Sequence, residues 1–309
     1  MLIFLMILGA IILLAIIVFI AKRICDMAIK GSMARKYAEI IFSSKPDSSM
    51  HEDKEKNRKW LQENTKEVEI ISRDGLKLIG YERKIDNKEN KWVIAVHGYL
   101  GHGYDMVEYI KKFEEYGYSS LIVDLRAHGK SEGTYIGMGW LDHYDLEIWL
   151  NKIVDENPGC KIVLYGISMG AAAVTMLTGE QLNENVKVCV ADCGYSSVWD
   201  EFKMHLTKAF HIPAFPILYL ANCISKLCAG YTFTEASSVK QVRKSNIPTL
   251  FIHGQKDKFV PFEMLDEIYK NANCKKQKLQ IEDAAHAESS KVNPQEYWNS
   301  IEKFIEEYI

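Results

Sequence analysis

The chain has 309 residues, and this length allows a large buried core. Roughly 250–300 residues can still form a single α/β domain. Because the formal net charge is only −3 and the sequence contains no basic block, the composition gives no indication of a nucleic-acid partner.

The first 21 residues, Met1–Ala21, carry no charge and consist almost entirely of Leu, Ile, Val, Phe, Met and Ala. As a helix they would be about 31 Å long, which matches the hydrocarbon core of a bilayer. A cleaved signal peptide needs a positive charge before its apolar run and small residues at its cleavage site, and this segment has neither. We therefore expect an uncleaved transmembrane anchor over residues 1–21.

Lys22 and Arg23 follow the anchor directly, and more basic residues come soon after them. The positive-inside rule then predicts that the main domain lies in the cytoplasm. The seven cysteines form no CxxC pair and no zinc-like cluster with histidine. They are expected to be buried thiols in a reducing compartment, which agrees with the same location.

Residues 22–66 are mixed in charge and are predicted to form a stalk or an N-terminal wrap. The main domain is expected to cover residues 67–309. It starts with two strand-like segments, Glu67–Ser72 and Leu76–Tyr81, on either side of Asp74-Gly75. This pattern predicts a β-hairpin.

Apolar runs then alternate with amphipathic segments. The predicted strands are Trp92–His97, Ser120–Leu125, Ile162–Gly166, Val186–Asp192, Thr249–His253 and Lys278–Glu282. The predicted helices are Tyr104–Tyr116, Gly139–Glu156, Ala171–Gln181, Phe262–Asn271 and a C-terminal helix from about Pro294. Continuous apolar strands separated by helices predict an α/β fold with a mostly parallel central sheet and helices on both faces.

The segment of about 196–247 interrupts this alternation. It contains no strand-like run but is rich in Phe, Leu, Ile, Ala and Tyr, with breaks at Pro213 and Pro216. We interpret it as a helical lid over the carboxyl edge of the sheet, where α/β proteins bind ligands. The alternative is a longer pair of packing helices.

A serine stands at the centre of Gly166-Ile167-Ser168-Met169-Gly170, between a predicted strand and a predicted helix. A sharp turn at this point exposes the hydroxyl and places the positive end of the helix beside it. Ser168 is therefore a candidate nucleophile.

A serine nucleophile needs a base, and the base needs an orienting carboxylate. Asp257 follows the strand that ends near His253, and His286 follows the last strand. The order Ser, Asp, His along the chain fits a strand–turn–helix nucleophile. Asp192, at the end of an earlier strand, is the competing candidate for the acid.

The negative oxygen formed during attack needs two N–H donors. We expect one from Met169, after the serine, and one from Tyr99, in the loop after the strand that ends at His97. The segment Asp124–Ser131 is expected to hold the neighbouring loop through Asp–Arg and backbone hydrogen bonds. His128 and His253 each precede a glycine at a turn and are interpreted as structural.

Together these residues resemble the α/β-hydrolase superfamily, and within it the bacterial members grouped with serine aminopeptidase-like and Bem46-like families. The resemblance covers about residues 67–309 and depends on five motifs in order. They are His97-Gly98-Tyr99, Asp124-x-Arg126-x-His128-Gly129-x-Ser131, Gly166-x-Ser168-x-Gly170, His253-Gly254-x-x-Asp257-x-x-Val260-Pro261 and Ala285-His286. It implies the α/β-hydrolase fold, Ser168 as nucleophile, Asp257 as acid, His286 as base, and Tyr99 and Met169 as oxyanion donors. It implies no particular substrate.

The sequence thus predicts a membrane-anchored serine hydrolase that cleaves carboxylic esters of small molecules or lipids, with no metal and no organic cofactor. A peptidase, lipase or thioesterase of the same fold is the first alternative. A non-catalytic binding protein that keeps the fold is the second.

Overall fold

Eight strands form one sheet in a computed structural model that describes residues 1–41 and 48–309. The spatial order is β1-β2-β4-β3-β5-β6-β7-β8. The strands are β1 Lys66–Ile71, β2 Lys77–Arg83, β3 Lys91–Val96, β4 Ser119–Val123, β5 Lys161–Ile167, β6 Val186–Asp192, β7 Thr249–Gly254 and β8 Lys276–Ile281. β2 pairs antiparallel with both β1 and β4, and all other pairs are parallel. The expected antiparallel start and parallel remainder are confirmed.

Helices cover both faces of this sheet, as expected for strands that are apolar along their whole length. They are α1 Leu2–Ile29, α2 Gly31–Ile41, α3 Ser48–Asn64, α4 Val107–Glu115, α5 Trp140–Glu156, α6 Met169–Leu177, α7 Val198–Met204, α8 Ile217–Ala229, α9 Ser238–Val242, α10 Glu263–Asn271, α11 Ser289–Val292 and α12 Pro294–Glu306. Along β3, Ile94 belongs to the apolar cluster that contains Trp149 of α5, whereas Val93 belongs to the cluster that contains Phe113 of α4 and Phe304 of α12. Successive side chains of a strand point to opposite faces, so one strand contributes to two cores.

The carboxyl ends of β5, β6 and β7 lie side by side, because these three strands are parallel and adjacent. Loops that follow them therefore meet at one edge. Over this edge lie α7 and α8 of the predicted lid region, with a short π-helical turn at His205–Ala209. α9 packs instead along α6, where Gln241 donates to Glu180. An isolated bridge joins Ser197, before α7, to Ser237, before α9.

The N-terminal helix α1 continues eight residues beyond the predicted anchor and ends at Ile29. Its length and hydropathy are sufficient to cross a membrane. The part after Ala21 packs on the main domain: Cys25 and Ile29 are buried in the same apolar cluster as Leu218 and Ala221 of α8. Much of the predicted stalk is thus helical, and its residues 42–47 lie outside the described part of the chain.

Backbone hydrogen bonds attach the connection between α1 and α2 to the domain. The N–H of Ile136 donates to the carbonyl of Ile29 over 2.7 Å, and the N–H of Gly31 donates to the carbonyl of Thr134 over 3.0 Å. The guanidinium of Arg35 also donates to the carbonyl of Ala127 over 3.0 Å. The first residues of α2 are therefore part of the folded domain.

This packing predicts that Ile29→Ala lowers stability by about 2–5 kcal/mol, because the change leaves a cavity in a fully buried cluster. The melting temperature of the detergent-solubilised protein should fall by several degrees. Ile12→Ala, in the exposed part of α1, is the matched control and should leave it unchanged. Equal melting temperatures for the two variants would show that the end of α1 does not contribute to the core.

Candidate active site

Ser168 occupies the turn between β5 and α6 in a backbone conformation that serine rarely adopts, with φ 57° and ψ −118°. Two glycines make this turn possible. A Cβ on Gly170 would lie 2.2 Å from the carbonyl oxygen of Val96, and a Cβ on Gly166 would lie 2.3 Å from that of Gly170. The N–H of Ser168 donates to the carbonyl of Asp192 over 2.8 Å. The strained serine is thus held between β3 and β6.

His286 lies between Ser168 and Asp257 and forms hydrogen bonds with both. Its Nδ1 is 2.7 Å from Oδ2 of Asp257, and its Nε2 is 2.9 Å from Oγ of Ser168. Because the carboxylate accepts, it places the ring proton on Nδ1 and leaves Nε2 free to accept the serine proton. The structure brings together the three residues that the sequence proposed.

Asp257 is held in place by further donors. Its Oδ1 accepts from the backbone N–H groups of Phe259 and Val260, each over 2.9 Å. Burial opposes ionisation of this carboxyl, but hydrogen bonds from His253 and His286 outweigh it and lower the pKa of Asp257 to about 2. The carboxylate is therefore charged at any pH near neutrality.

His253 is a second histidine beside Asp257. Its Nε2 lies 3.1 Å from Oδ2 of Asp257 and 3.0 Å from the carbonyl of Val260. Since both neighbours are acceptors, Nε2 carries the proton. The buried ring fixes the acid without reaching Ser168, in line with the structural role expected for it.

Asp192, the competing acid, makes no hydrogen bond to a histidine in the described residues. Its Oδ2 accepts from the hydroxyl of Tyr297 over 2.9 Å, and its Oδ1 has no partner among them. Burial raises the pKa of Asp192 to about 6, against a smaller opposing effect of the Tyr297 hydrogen bond. The geometry therefore favours Asp257 over Asp192 as the partner of His286.

The predicted oxyanion donors lie on two sides of Ser168. Met169 is the first residue of α6, and the first N–H groups of a helix have no partner within it. The loop that contains Tyr99 approaches closely, because a Cβ on Gly98 would lie 3.3 Å from Cβ of Ser168. The N–H of Tyr99 makes no hydrogen bond within the described chain.

Two buried histidines fix the loop around Tyr99. His128 Nε2 accepts from the N–H of Leu100 over 3.1 Å, while its Nδ1 donates to the carbonyl of Arg126 over 2.9 Å. His97 Nε2 accepts from the N–H of Leu125 over 3.1 Å. Burial lowers the pKa of both imidazoles, so each keeps the neutral form that can accept.

The Asp124–Ser131 segment supports the same loop through the expected Asp–Arg and backbone hydrogen bonds, but the aspartates that pair with Arg126 lie outside the segment. Asp124 accepts from the backbone N–H groups of Gly103 and Lys130 over 2.8 and 2.9 Å. Arg126 instead donates to Asp145 over 2.7 and 2.8 Å and to Asp74 over 3.0 Å. The arginine thus connects this segment to α5 and to the first hairpin.

Cys193, Asp257 and His286 place potential metal-ligating atoms within 4.8 Å of one another. Two of the three already serve other partners, since His286 uses both nitrogens on Ser168 and Asp257. Burial also raises the pKa of the Cys193 thiol, so the thiolate that a metal would need is disfavoured. We therefore interpret His286 and Asp257 as partners of Ser168 in a proton relay, to which Cys193 does not belong.

A mainly apolar cavity of about 620 Å³ opens beside Ser168. Tyr99, Phe202, Leu206 and Phe259 lie around it. Its far wall comes from α1 and α2, which the sequence analysis did not assign to the site. The signal was present, because Ile24 and Ala28 in α1 and Ala34 and Ala38 in α2 are each four residues apart and so share one helix face.

Glu201 is a second residue that the sequence analysis missed. It lines the cavity and is 4% exposed. Its Oε1 accepts from Nε2 of His205 over 2.8 Å, and its Oε2 has no partner among the described residues. Burial raises the pKa of Glu201, and the contact with His205 partly offsets the rise. The sequence did contain a signal for a functional role of Glu201, because an acidic residue is unusual within the apolar lid segment.

Comparisons with known proteins agree with this geometry. The sequence profile of the family described as "Serine aminopeptidase, S33" matches residues 87–211. The Pyrococcus furiosus esterase Pf2001 has the same fold, with a TM-score of 0.64 and 28% identity over 81% of this chain and 95% of that one. The chain has the fold of the α/β hydrolases.

Two sequence relatives extend the comparison. The hydrolase is 27% identical to the YqkD protein of Bacillus subtilis, over 77% of this chain and 78% of that protein. It is 24% identical to the lysophosphatidylserine lipase ABHD12 of Macaca fascicularis, over 57% of this chain and 44% of that protein. The expected resemblance to the superfamily is confirmed.

The buried carboxyl of Asp192 predicts a pH-dependent effect on the stability of this hydrolase. Its folded-state pKa of about 6 lies above the ordinary value of 3.8. Ionisation of Asp192 therefore destabilises the folded state by roughly 3 kcal/mol above pH 6, and this destabilisation disappears below pH 3.8. Asp192→Asn should raise the free energy of unfolding at pH 7.5, and this gain should shrink as the pH falls toward 4. Urea unfolding of both proteins at the two pH values measures it; a constant difference would contradict the raised pKa.

Proposed function

We propose that this hydrolase cleaves carboxylic esters through an acyl-enzyme on Ser168. The observation that supports it most strongly is the continuous hydrogen-bonded relay from Ser168 through His286 to Asp257, with distances of 2.9 and 2.7 Å, at the wall of an apolar cavity. A serine hydroxyl that already donates to a base is poised to attack a carbonyl carbon.

In the first half-reaction, the Ser168 oxygen attacks the ester carbonyl while His286 Nε2 takes the serine proton. Asp257 stabilises the imidazolium that forms. The backbone N–H groups of Tyr99 and Met169 bind the negative oxygen of the tetrahedral intermediate. His286 then gives the proton to the alkoxy oxygen, the carbon–oxygen bond breaks and the alcohol leaves. Water attacks the acyl-enzyme in the same way and releases the acid.

Esters are favoured over other acyl substrates because most of the cavity lining is apolar and suits a hydrocarbon acyl group. The esterase Pf2001 of Pyrococcus furiosus, whose aligned sequence is 28% identical to this chain, supports the same class of substrate. The lipase activity in the name of ABHD12 is compatible with it.

We further propose that residues 1–21 anchor the hydrolase in a membrane. In the described structure this part of α1 is apolar throughout. Its side chains are exposed apart from Ile17, which is half-buried, and Ala21, which the folded domain covers. The basic residues after Ala21 favour a catalytic domain on the cytoplasmic side. Protease treatment of intact cells tests the orientation, because digestion of the domain from outside would contradict it.

Substitution of the proposed triad should separate the two candidate acids. Asp257→Asn should lower kcat for p-nitrophenyl butyrate by about 10⁴, because His286 would lose the carboxylate that sets its tautomer. Asp192→Asn should leave kcat within a few-fold, since Asp192 contacts Tyr297 and not His286. Melting temperatures control for folding. Loss of activity in the Asp192 variant alone would overturn the assignment.

Labelling by a fluorophosphonate probe tests whether Ser168 is the nucleophile. Wild type should be labelled, and folded Ser168→Ala should not be, because the phosphonate bonds covalently to an activated serine oxygen. An unlabelled but folded wild type would support a non-catalytic binding protein instead.

An aminopeptidase is the second candidate, and Glu201 is the observation that favours it. Glu201 lines the cavity beside Ser168, and its buried Oε2, which has no partner in the described residues, could accept from the ammonium group of a peptide after the carboxylate turns toward the cavity. Aminoacyl p-nitroanilides distinguish the two functions. Faster turnover of these anilides than of p-nitrophenyl esters, lost in Glu201→Gln, would replace our proposal with the peptidase.

A further inference from the structure

One wall of the cavity consists of the helices that follow the membrane segment. Ile24, Cys25, Met27 and Ala28 contribute from α1, and Ala34, Tyr37 and Ala38 contribute from α2. All of these side chains except the hydroxyl of Tyr37 are apolar. The cavity that contains Ser168 is therefore completed by the N-terminal helices and not by the 67–309 domain alone.

These helices are connected directly to the catalytic loop. The hydroxyl of Tyr99 donates to the carbonyl of Ala28 over 2.7 Å, so the residue whose N–H is the proposed oxyanion donor also binds α1. α8 packs along α1 as well, and its Leu218 and Ala221 line the same cavity. α1 thus has a defined position relative to Ser168.

The cavity also lies close to the membrane surface. The charge-free segment ends at Ala21, and Ile24–Ala28 lie about 4–11 Å further along the helix axis. The headgroup layer on each side of a bilayer is about 5–8 Å thick. α2 runs back alongside α1 toward this layer, because the guanidinium of Arg23 donates to the hydroxyl of Tyr37 over 3.2 Å.

The volume of the cavity limits what can enter it. About 620 Å³ is within the range of roughly 300–1,000 Å³ that holds one drug-sized ligand. One long acyl chain with a small alcohol group has that size, whereas a lipid with two acyl chains is much larger. An apolar wall gains about 0.8 kcal/mol for each methylene that it buries, so a long chain is bound better than a short one.

We propose that the substrate is a carboxylic ester with a single long acyl chain, which enters from the membrane surface and lies against α1 and α2. This inference rests on the proposed ester hydrolysis by Ser168. It makes Ala28 and Ala38 specificity-determining residues for chain length, because both are small, half-buried and line the cavity.

The first test uses the full chain reconstituted in phosphatidylcholine vesicles, with p-nitrophenyl butyrate and p-nitrophenyl palmitate as substrates. Ala38→Trp should lower kcat/KM for palmitate at least tenfold and leave the butyrate value within threefold, because the indole takes up cavity space on the α2 wall. Ser32→Trp is the matched control: Ser32 is a small, exposed residue of α2 that does not line the cavity, and both substrates should be unaffected.

The outcomes separate this inference from the proposed function. If butyrate hydrolysis depends on Ser168 but Ala38→Trp leaves palmitate hydrolysis unchanged, or lowers hydrolysis of both esters equally, the acyl-chain site is wrong and the esterase stands. If wild type hydrolyses neither ester, both proposals fail. Melting temperatures of all variants show whether they fold.

The second test concerns the route of entry. Palmitate ester placed in the vesicles that contain the enzyme should be hydrolysed at least tenfold faster than the same ester in separate vesicles, and fatty acid should not be released from the diacyl phosphatidylcholine itself. Equal rates for the two placements, or release from the diacyl lipid, would overturn delivery of a single-chain ester from the membrane.

Discussion

The close approach of α6 to the ends of β3 and β5 is the constraint on which the site depends. Gly170 lies directly against the carbonyl groups of Val96 and His97, and no side chain fits there. This contact forces Ser168 into its strained conformation and places the first N–H groups of α6 beside its hydroxyl. The same contact brings the loop after β3 next to the serine, so the proposed nucleophile and the proposed oxyanion donors are positioned by a single packing contact.

Much of the fold could be predicted because the central strands β3 to β7 are mostly apolar along their length. Runs such as Ile162–Gly166 have no polar alternation, which leaves a parallel sheet covered on both faces as the simplest interpretation. Helix boundaries were less certain: α6 begins at Met169 and not Ala171, because the serine turn itself starts the helix.

The candidate site was predictable to the extent that chain order fixes the sheet edge. Ser168, Asp257 and His286 all follow strand ends, and parallel strands bring such positions together. Chain order could not choose between Asp192 and Asp257, since both follow adjacent strands. Only the three-dimensional arrangement turns one carboxylate toward His286 and the other toward Tyr297. Glu201 could not be assigned to the cavity because its position depends on how the lid folds.

The hydrogen bond from the Tyr99 hydroxyl to Ala28 has a practical consequence for work with this protein. Removing residues 1–41 to obtain a water-soluble preparation would delete one side of the cavity and uncover Leu218 and Ala221, which are now buried. It would also free the ring of Tyr99, next to the backbone N–H that is proposed as an oxyanion donor. Such a truncated protein would keep Ser168, His286 and Asp257 but present a different binding surface, so inhibitors selected against it would be selected for the wrong shape.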